Sequence, residues 1–204
     1  MQKPVIQMQV LKKILLICIG SIVSAYGIDL AIHAGFGGAT LAVLWEGIAK
    51  IFNISIGQAS LAVAGIMILV CLFYDRKQIN IGTLIYQILY GVFVDIFADC
   101  LFYSENVFIN FVIMILGILI FAAGTALYSF ADFGRGSYEA LTFALVKKHG
   151  WNVKWVRTAL DAGVVVIGAL LGGKVGICTI CTILLSGFCI QSMLQLLKKI
   201  TQSE

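Results

Sequence analysis

Charged residues are scarce in this chain. Only 12 % of its 204 residues are Asp, Glu, Lys or Arg, whereas 61 % are hydrophobic. A soluble globular domain carries about 25 % charged residues, because its surface has to be solvated. The shortage of charge therefore excludes an ordinary soluble domain. Together with a mean hydropathy of +1.03, it predicts a protein that lies in the lipid bilayer and has membrane lipid as a partner.

Sequence motifs of common enzymes are also missing. The chain has no Walker motif, no H-E-x-x-H, no G-x-S-x-G and no recognisable pairing of a nucleophile with a base. Its one C-x-x-C pair, Cys178 and Cys181, lacks the second pair of ligands that zinc requires. We predict no enzyme activity, no cofactor, no metal site and no nucleic-acid partner. The net charge of +4 instead bears on membrane topology.

Long apolar segments take up most of the chain. Three of them, at 54–74, 106–131 and 175–197, contain no charged residue and are each at least 21 residues long. A helix that crosses the hydrocarbon core needs about 20 residues. Three more segments, at 14–32, 78–103 and 158–173, are interrupted by one or two acids. The sequence therefore predicts an all-α membrane protein with six transmembrane helices.

Basic residues divide unequally between the two sides of such a protein. With six spans, twelve of the fourteen Lys and Arg residues fall on one side, and only Lys50 and Lys174 fall on the other. Loops rich in Lys and Arg stay in the cytoplasm. This asymmetry predicts that the N-terminal and C-terminal ends are both cytoplasmic.

The chain also repeats itself. Ten residues recur 97 positions later: Gly20, Ala25, Gly27, Leu30, Ala34, Phe36, Gly37, Leu44, Lys50 and Lys77 return as Gly117, Ala122, Gly124, Leu127, Ala131, Phe133, Gly134, Leu141, Lys147 and Lys174. Each copy holds three predicted spans, an odd number, so the second copy must be inverted, as in many secondary transporters. We predict repeats at 14–103 and 106–197 between cytoplasmic ends at 1–13 and 198–204.

Each copy contains one extra short segment, at 38–52 and at 135–149. Fifteen residues of helix measure about 22 Å, less than the ~30 Å hydrocarbon core. We interpret these segments as re-entrant or interfacial helices; if both cross the membrane, the chain has eight spans. Each follows an Ala-x-Phe-Gly turn. Because irregular backbone at membrane depth must be buried or line a cavity, the turns predict a central polar cavity, with Phe36, Gly37, Phe133 and Gly134 facing a ligand.

Ionisable residues within the predicted spans and at their ends are the other candidates for binding a substrate or an ion. Placing a charged side chain in a span costs about 2.5–3.5 kcal/mol on insertion scales, so each one needs a partner or a watery cavity. Pairs spaced four residues apart share a helix face. The candidates are Asp29 with His33, Asp95, and Arg157 with Asp161, together with Glu139 in the second short segment.

Several stretches resemble the YczE/YitT-type bacterial membrane proteins. They are the run 131–141, Arg157-Thr158 with an acid four residues after the arginine, the glycine-rich stretch 170–179, and a Gly-x-x-x-Asp element that ends at Asp95. The resemblance covers residues 14–195 and implies a multipass protein of the bacterial cytoplasmic membrane, with transport suspected. It carries over Asp95, Glu139, Arg157 and Asp161 as site residues, although Ser137-Tyr138 replaces the family's Pro-Arg.

The leading hypothesis is a secondary transporter of a small organic solute that works by alternating access, with proton coupling as one form of it. Inverted repeats suit this class, because two opposed halves can rock about a site at their interface. Two alternatives stay open. One is the substrate-binding membrane subunit of a vitamin-type importer, and the other is a non-transporting accessory protein. The sequence leaves open a homo-oligomer, the substrate, the direction of transport and the coupling ion.

Overall fold

All regular secondary structure in the described part of the chain is helical: eight α-helices and one short 3-10 helix at Arg76–Gln78. A computed structural model describes the backbone of residues 3–101 and 103–202 and the side chains of 10–101, 103–153 and 155–201. Residues 1–2, 102 and 203–204, which belong to the predicted ends and first repeat, lie outside the described residues. The helices are α1 (Lys3–His33), α2 (Thr40–Phe52), α3 (Ile56–Tyr74), α4 (Ile81–Ala98), α5 (Val107–Phe130), α6 (Ser137–His149), α7 (Val153–Leu170) and α8 (Ile177–Gln202).

The predicted all-α membrane class is confirmed. Five helices in the described residues are long and apolar enough to cross a membrane: Val10–His33 within α1, α3, α4, α5, and Ile177–Thr201 within α8. The sixth predicted span, 158–173, overlaps α7. That helix is 18 residues long and contains Lys154, Arg157 and Asp161, so it does not qualify as a span by composition. Its crossing of the membrane stays a prediction.

The two short helices occupy equivalent positions in the two copies. Both α2 and α6 have 13 residues, which gives a length of about 20 Å. Each ends at a residue in the left-handed region, Asn53 with φ 53° and Gly150 with φ 67°. A left-handed residue at this position ends a helix, because it turns the chain away from the helix axis. Helix ends and caps therefore recur at the 97-residue offset of the sequence.

The turn before each short helix has positive φ angles at equivalent positions in both copies. Positive φ angles occur at Gly35 and Gly37 in the first copy and at the equivalent Asp132 and Gly134 in the second. Each turn lies against the first residues of the last long helix of the other copy. A Cβ built on Gly37 would be 2.6 Å from the amide nitrogen of Gly176, and one built on Gly134 would be 2.8 Å from that of Thr83.

The most extensive contact between helices joins α1 to α5. A Cβ built on Gly20 would be 2.8 Å from the carbonyl oxygen of Gly124, and one built on Gly27 would be 2.8 Å from that of Gly117. Residues of increasing number along α1 contact residues of decreasing number along α5, so the two helices are antiparallel. Small residues allow backbones to approach this closely, which is how helices associate in lipid without a hydrophobic driving force.

The ends of the short helices are tied to the opposite copy by equivalent lysines. Lys50 of α2 donates a hydrogen bond to the carbonyl oxygen of Gly172, at 2.7 Å. Lys147 of α6 pairs with the carboxylate of Asp75, at 2.8 Å. Positions 75 and 172 are themselves 97 residues apart, so the two links correspond. Lys50 also forms an ion pair with Glu46, four residues earlier on α2, at 3.0 Å.

Filling the contact between α1 and α5 should destabilise the protein. A Cβ on Gly27 would collide with the backbone of Phe121, and neither backbone can move aside alone. Overpacking of this kind costs about 1–3 kcal/mol. We therefore expect Gly27→Ala to lower the unfolding temperature in detergent. The matched control is Gly65→Ala, since a Cβ there meets nothing within 4 Å. Equal stability of the two variants would contradict the observed crossing.

Acid should weaken the link between α3 and α6. The hydrogen bond from Lys147 lowers the pKa of the Asp75 carboxyl to about 2, whereas an unfolded aspartate has a pKa of about 3.9. A depressed pKa stabilises the fold above the unfolded value, and that contribution is lost as the pH falls towards 2. The stability difference between the wild type and Asp75→Asn should therefore shrink from pH 5 to pH 2. A difference that stays constant over this range would refute the assignment.

Candidate functional site

A cavity of about 280 Å³ lies where the two short helices begin. Ala39 and Thr40 at the start of α2 line it, as do the equivalent positions Gly136 and Ser137 at the start of α6. A cavity is therefore present at the last residues of both predicted turn segments, but most of its lining is apolar, whereas the sequence predicts a polar one. Neither α2 nor α6 has a side-chain cap, so unsatisfied N–H groups of helix first turns are available near its walls.

Three charged residues line this cavity, and all three were predicted from the sequence: Glu139, Arg157 and Asp161. A tyrosine hydroxyl holds each carboxylate. Tyr128 donates to Oε2 of Glu139 at 3.0 Å, and Tyr138 donates to Oδ1 of Asp161 at 2.6 Å. One hydrogen bond leaves the second oxygen of each carboxylate available as an acceptor. The second copy therefore supplies a fixed pair of carboxylates to the cavity.

Arg157 does not pair with Asp161 as the sequence suggests. Within the described residues, no carboxylate oxygen lies within 4.0 Å of its guanidinium, although the two residues are four apart on α7. The guanidinium instead lies 5.6 Å from the ring centroid of Tyr138, within the range of a cation–π contact. The Tyr138 hydroxyl is the group that bonds to Asp161. Arg157 consequently lines the cavity as a cation whose charge is not neutralised by a contacting acid.

Aromatic rings form another part of the wall. Trp45, Tyr86, Tyr90 and Tyr138 all line the cavity. Ring centroids lie 5.9 Å apart for Trp45 and Tyr90, 5.5 Å for Tyr90 and Tyr86, and 4.0 Å for Tyr86 and Tyr128. Sequence reasoning missed Tyr86 and Tyr90 as site residues. Their spacing of four on a predicted span, which places both rings on one helix face, was the available signal.

Asp95 lies elsewhere and has a structural role. Its carboxylate accepts hydrogen bonds from the hydroxyl of Ser55 at 2.5 Å and from the amide of Gly57 at 2.7 Å. Both donors lie at the beginning of α3, where the first amides of a helix have no partner within the helix. Asp95 is not among the residues that line the cavity. This corrects the expectation that it faces a ligand there: its charge is used to cap α3.

Asp29 and His33 form a separate pair. Nδ1 of His33 lies 2.9 Å from Oδ1 of Asp29, and the aspartate is fully buried. The shared helix face predicted from the sequence is therefore confirmed. His33 lines a second pocket, of about 210 Å³, together with Gly37, Glu46 and Lys174. The structure thus does not bring the acid of α1 together with Glu139 and Asp161.

The turn residues pack against helices. The carbonyl oxygen of Phe36 accepts a hydrogen bond from the amide of Cys178 in the first turn of α8, at 3.0 Å. The carbonyl oxygen of Phe133 contacts Gly82 at the start of α4. Phe36, Gly37, Phe133 and Gly134 do not line the 280 Å³ cavity. The sequence assigned Gly37 and Gly134 to ligand contact in this cavity, whereas both pack against the other copy, and Gly37 lines the second pocket instead.

Comparison with known proteins places this chain in a family. Residues 11–195 match a family of unknown function, DUF6198. The chain belongs to this family. It is 28 % identical over 173 residues to the uncharacterized membrane protein YczE of Bacillus subtilis strain 168, which covers 82 % of this chain and 79 % of YczE. The resemblance to YczE noted in the sequence is therefore confirmed.

Two further relatives cover similar shares of the chain. An uncharacterized protein of Haemophilus influenzae is 28 % identical over 85 % of this chain and 79 % of its own length. The uncharacterized protein YyaS of Bacillus subtilis is 23 % identical over 89 % of this chain and 92 % of its own length. No solved structure matches the chain. These relatives support a membrane protein but assign it no substrate.

Removing the Asp95 carboxylate should weaken the fold. Asp95→Ala leaves the first turn of α3 without two acceptors, and hydrogen bonds to a charged group each contribute about 1.5–3 kcal/mol. We expect a lower unfolding temperature in detergent. Asp99→Ala, at the exposed end of the same helix, is the control and should behave like the wild type. If both variants are equally stable, the capping role assigned to Asp95 is wrong.

Proposed function

We propose that this protein is a secondary transporter of a small organic solute and that it works by alternating access. The observation that carries the proposal is the cavity bordered by two equivalent helix N-termini, one from each copy. In secondary transporters, substrate sites lie at the interface of inverted repeats and are formed where helices are interrupted. A cavity of about 280 Å³ is in the range for a small solute.

The contacts between α1 and α5 support an inverted relation of the two copies. Gly20 corresponds to Gly117 and Gly27 to Gly124 at the 97-residue offset. Gly20 nevertheless contacts Gly124, and Gly27 contacts Gly117. Such an exchange of partners is what a two-fold axis perpendicular to both helices produces. If α1 and α5 cross the bilayer, that axis lies in the membrane plane, and the second copy is inverted.

A sixth span at α7 completes this architecture. Eighteen residues of helix measure about 27 Å, nearly the ~30 Å hydrocarbon core. Its charged residues Arg157 and Asp161 line the cavity, and ionisable groups are tolerated in spans when they face such a space. With six spans, the excess of basic residues on one side favours cytoplasmic ends in a bacterial cytoplasmic membrane.

Proton coupling in this proposal rests on Glu139 and Asp161. Both carboxylates line the cavity, and each accepts a hydrogen bond from a tyrosine hydroxyl. A carboxylate that can bind a proton or part of the substrate, but not both at once, releases one when it takes up the other. The movement of protons is thereby coupled to the movement of the substrate. Asp95 takes no part, because its oxygens are occupied at the beginning of α3. No enzyme chemistry is included in this proposal.

Alternating access makes a prediction that does not depend on the substrate. Thr40 and Ser137 are equivalent cavity residues on α2 and α6. In a parent protein without the four cysteines that are not buried, Cys18, Cys100, Cys181 and Cys189, we introduce Thr40→Cys or Ser137→Cys. Each should react with a membrane-impermeant maleimide from both sides, in intact cells and in inverted vesicles, since the cavity opens to each side in turn.

Two exposed positions calibrate sidedness in the same parent protein. Lys77→Cys should react only from the cytoplasmic side, and Glu105→Cys only from the external side. Reaction of both cavity positions from the external side alone would favour an importer subunit and contradict the transporter. If neither position reacts from either side, the cavity is closed to water, and an accessory protein becomes the better explanation.

A further inference from the structure

We propose that the cavity binds a small zwitterion, a solute that carries one ammonium and one carboxylate group. This inference rests on the proposed function, since it names the class of solute that the transporter would carry. It depends on four features of the cavity wall: the carboxylates, the aromatic rings, the guanidinium of Arg157, and the overall balance of charge.

Glu139 and Asp161 supply the acceptors for an ammonium group. Each keeps a carboxylate oxygen beyond the one that a tyrosine hydroxyl occupies. Rings of Trp45, Tyr86, Tyr90 and Tyr138 line the same cavity, and the faces of aromatic rings attract ammonium groups. A positive group therefore meets carboxylates and ring faces in one space.

Arg157 and the starts of two helices supply donors for a carboxylate group. Arg157 lines the cavity without a contacting acid in the described chain, and a guanidinium binds carboxylates in a bidentate manner. Helices α2 and α6 begin at the cavity without side-chain caps, and the N–H groups of a first helical turn donate to anions. An anionic oxygen in the cavity would therefore meet a guanidinium and helix amides for which the described residues provide no contacting acid or cap.

The charges of the wall fit a solute with no net charge. Two carboxylates exceed the single guanidinium by one negative charge. The N-termini of α2 and α6, both without side-chain caps, each contribute about half a positive charge. The wall is therefore close to neutral, with positive and negative groups in the same space. A simple cation or anion would leave one set of groups unmatched.

Two series of shape-matched compounds test this inference on the purified, full-length protein in detergent. The first series is phenylalanine, phenethylamine and 3-phenylpropanoate, and the second is trimethylglycine, tetramethylammonium and 3,3-dimethylbutanoate. In each series the zwitterion is followed by an analogue that keeps only the positive charge and one that keeps only the negative charge. Titration calorimetry should give the zwitterion of at least one series a Kd at least tenfold lower than both of its analogues.

Variants assign the two charges of the ligand to the two sets of groups. Arg157→Gln removes the guanidinium that binds the carboxylate, so it should raise the Kd of the zwitterion about tenfold without weakening the binding of the cationic analogue. Asp161→Asn removes an acceptor for the ammonium group, so it should raise the Kd of the zwitterion and leave that of the anionic analogue unchanged. Arg76→Gln, at an exposed arginine that does not line the cavity, is the control and should bind like the wild type.

The results separate this inference from the proposed function. If no compound binds, or if a singly charged analogue binds as tightly as the zwitterion in both series, the inference is overturned. Should this happen while Thr40→Cys and Ser137→Cys react from both sides, the transporter stands and only its substrate class is wrong. If the zwitterion is preferred but the two cysteine variants react from one side alone, the substrate class stands and alternating access is wrong.

Discussion

The backbone contact between α1 and α5 is the constraint on which the rest of the structure depends. Gly20 and Gly27 meet Gly124 and Gly117 at distances that admit no side chain. In lipid, the two helices gain stability from this packing itself rather than from hiding apolar surface. Because the contact fixes how the copies face each other, it also fixes where each short helix begins. The cavity follows from the crossing of these two helices.

The short helix of each copy packs against helices of the other copy, so neither copy can form the cavity alone. Helix α2 packs against α7, and α6 packs against α3. The turn before each short helix lies on the last long helix of the other copy, and a lysine near the end of each short helix binds the other copy as well. These links hold the starts of α2 and α6 at one cavity. A rocking motion between the copies would change its shape directly.

The acidic residues of the chain divide by the partners they have. Both carboxylate oxygens of Asp95 accept hydrogen bonds at the beginning of α3. Asp29 pairs with His33 next to a separate pocket. Glu139 and Asp161 are held by tyrosine hydroxyls that use only part of their capacity to accept hydrogen bonds. Only the second kind of arrangement leaves charge available to a ligand. A partly satisfied carboxylate in a cavity is therefore more informative about function than a buried one.

The sequence by itself determined the membrane class, the 97-residue repeat, the positions of the short helices and three charged residues of the cavity. Hydropathy, spacing and helix-ending residues are local properties, so they can be read along the chain. Only the tertiary structure decided which candidates meet. It assigned Asp95 to a helix end, joined Tyr138 to Asp161, and brought Tyr86 and Tyr90 to the cavity. Such contacts depend on how α4, α6 and α7 are packed, and spacing along a single helix carries no information about that packing.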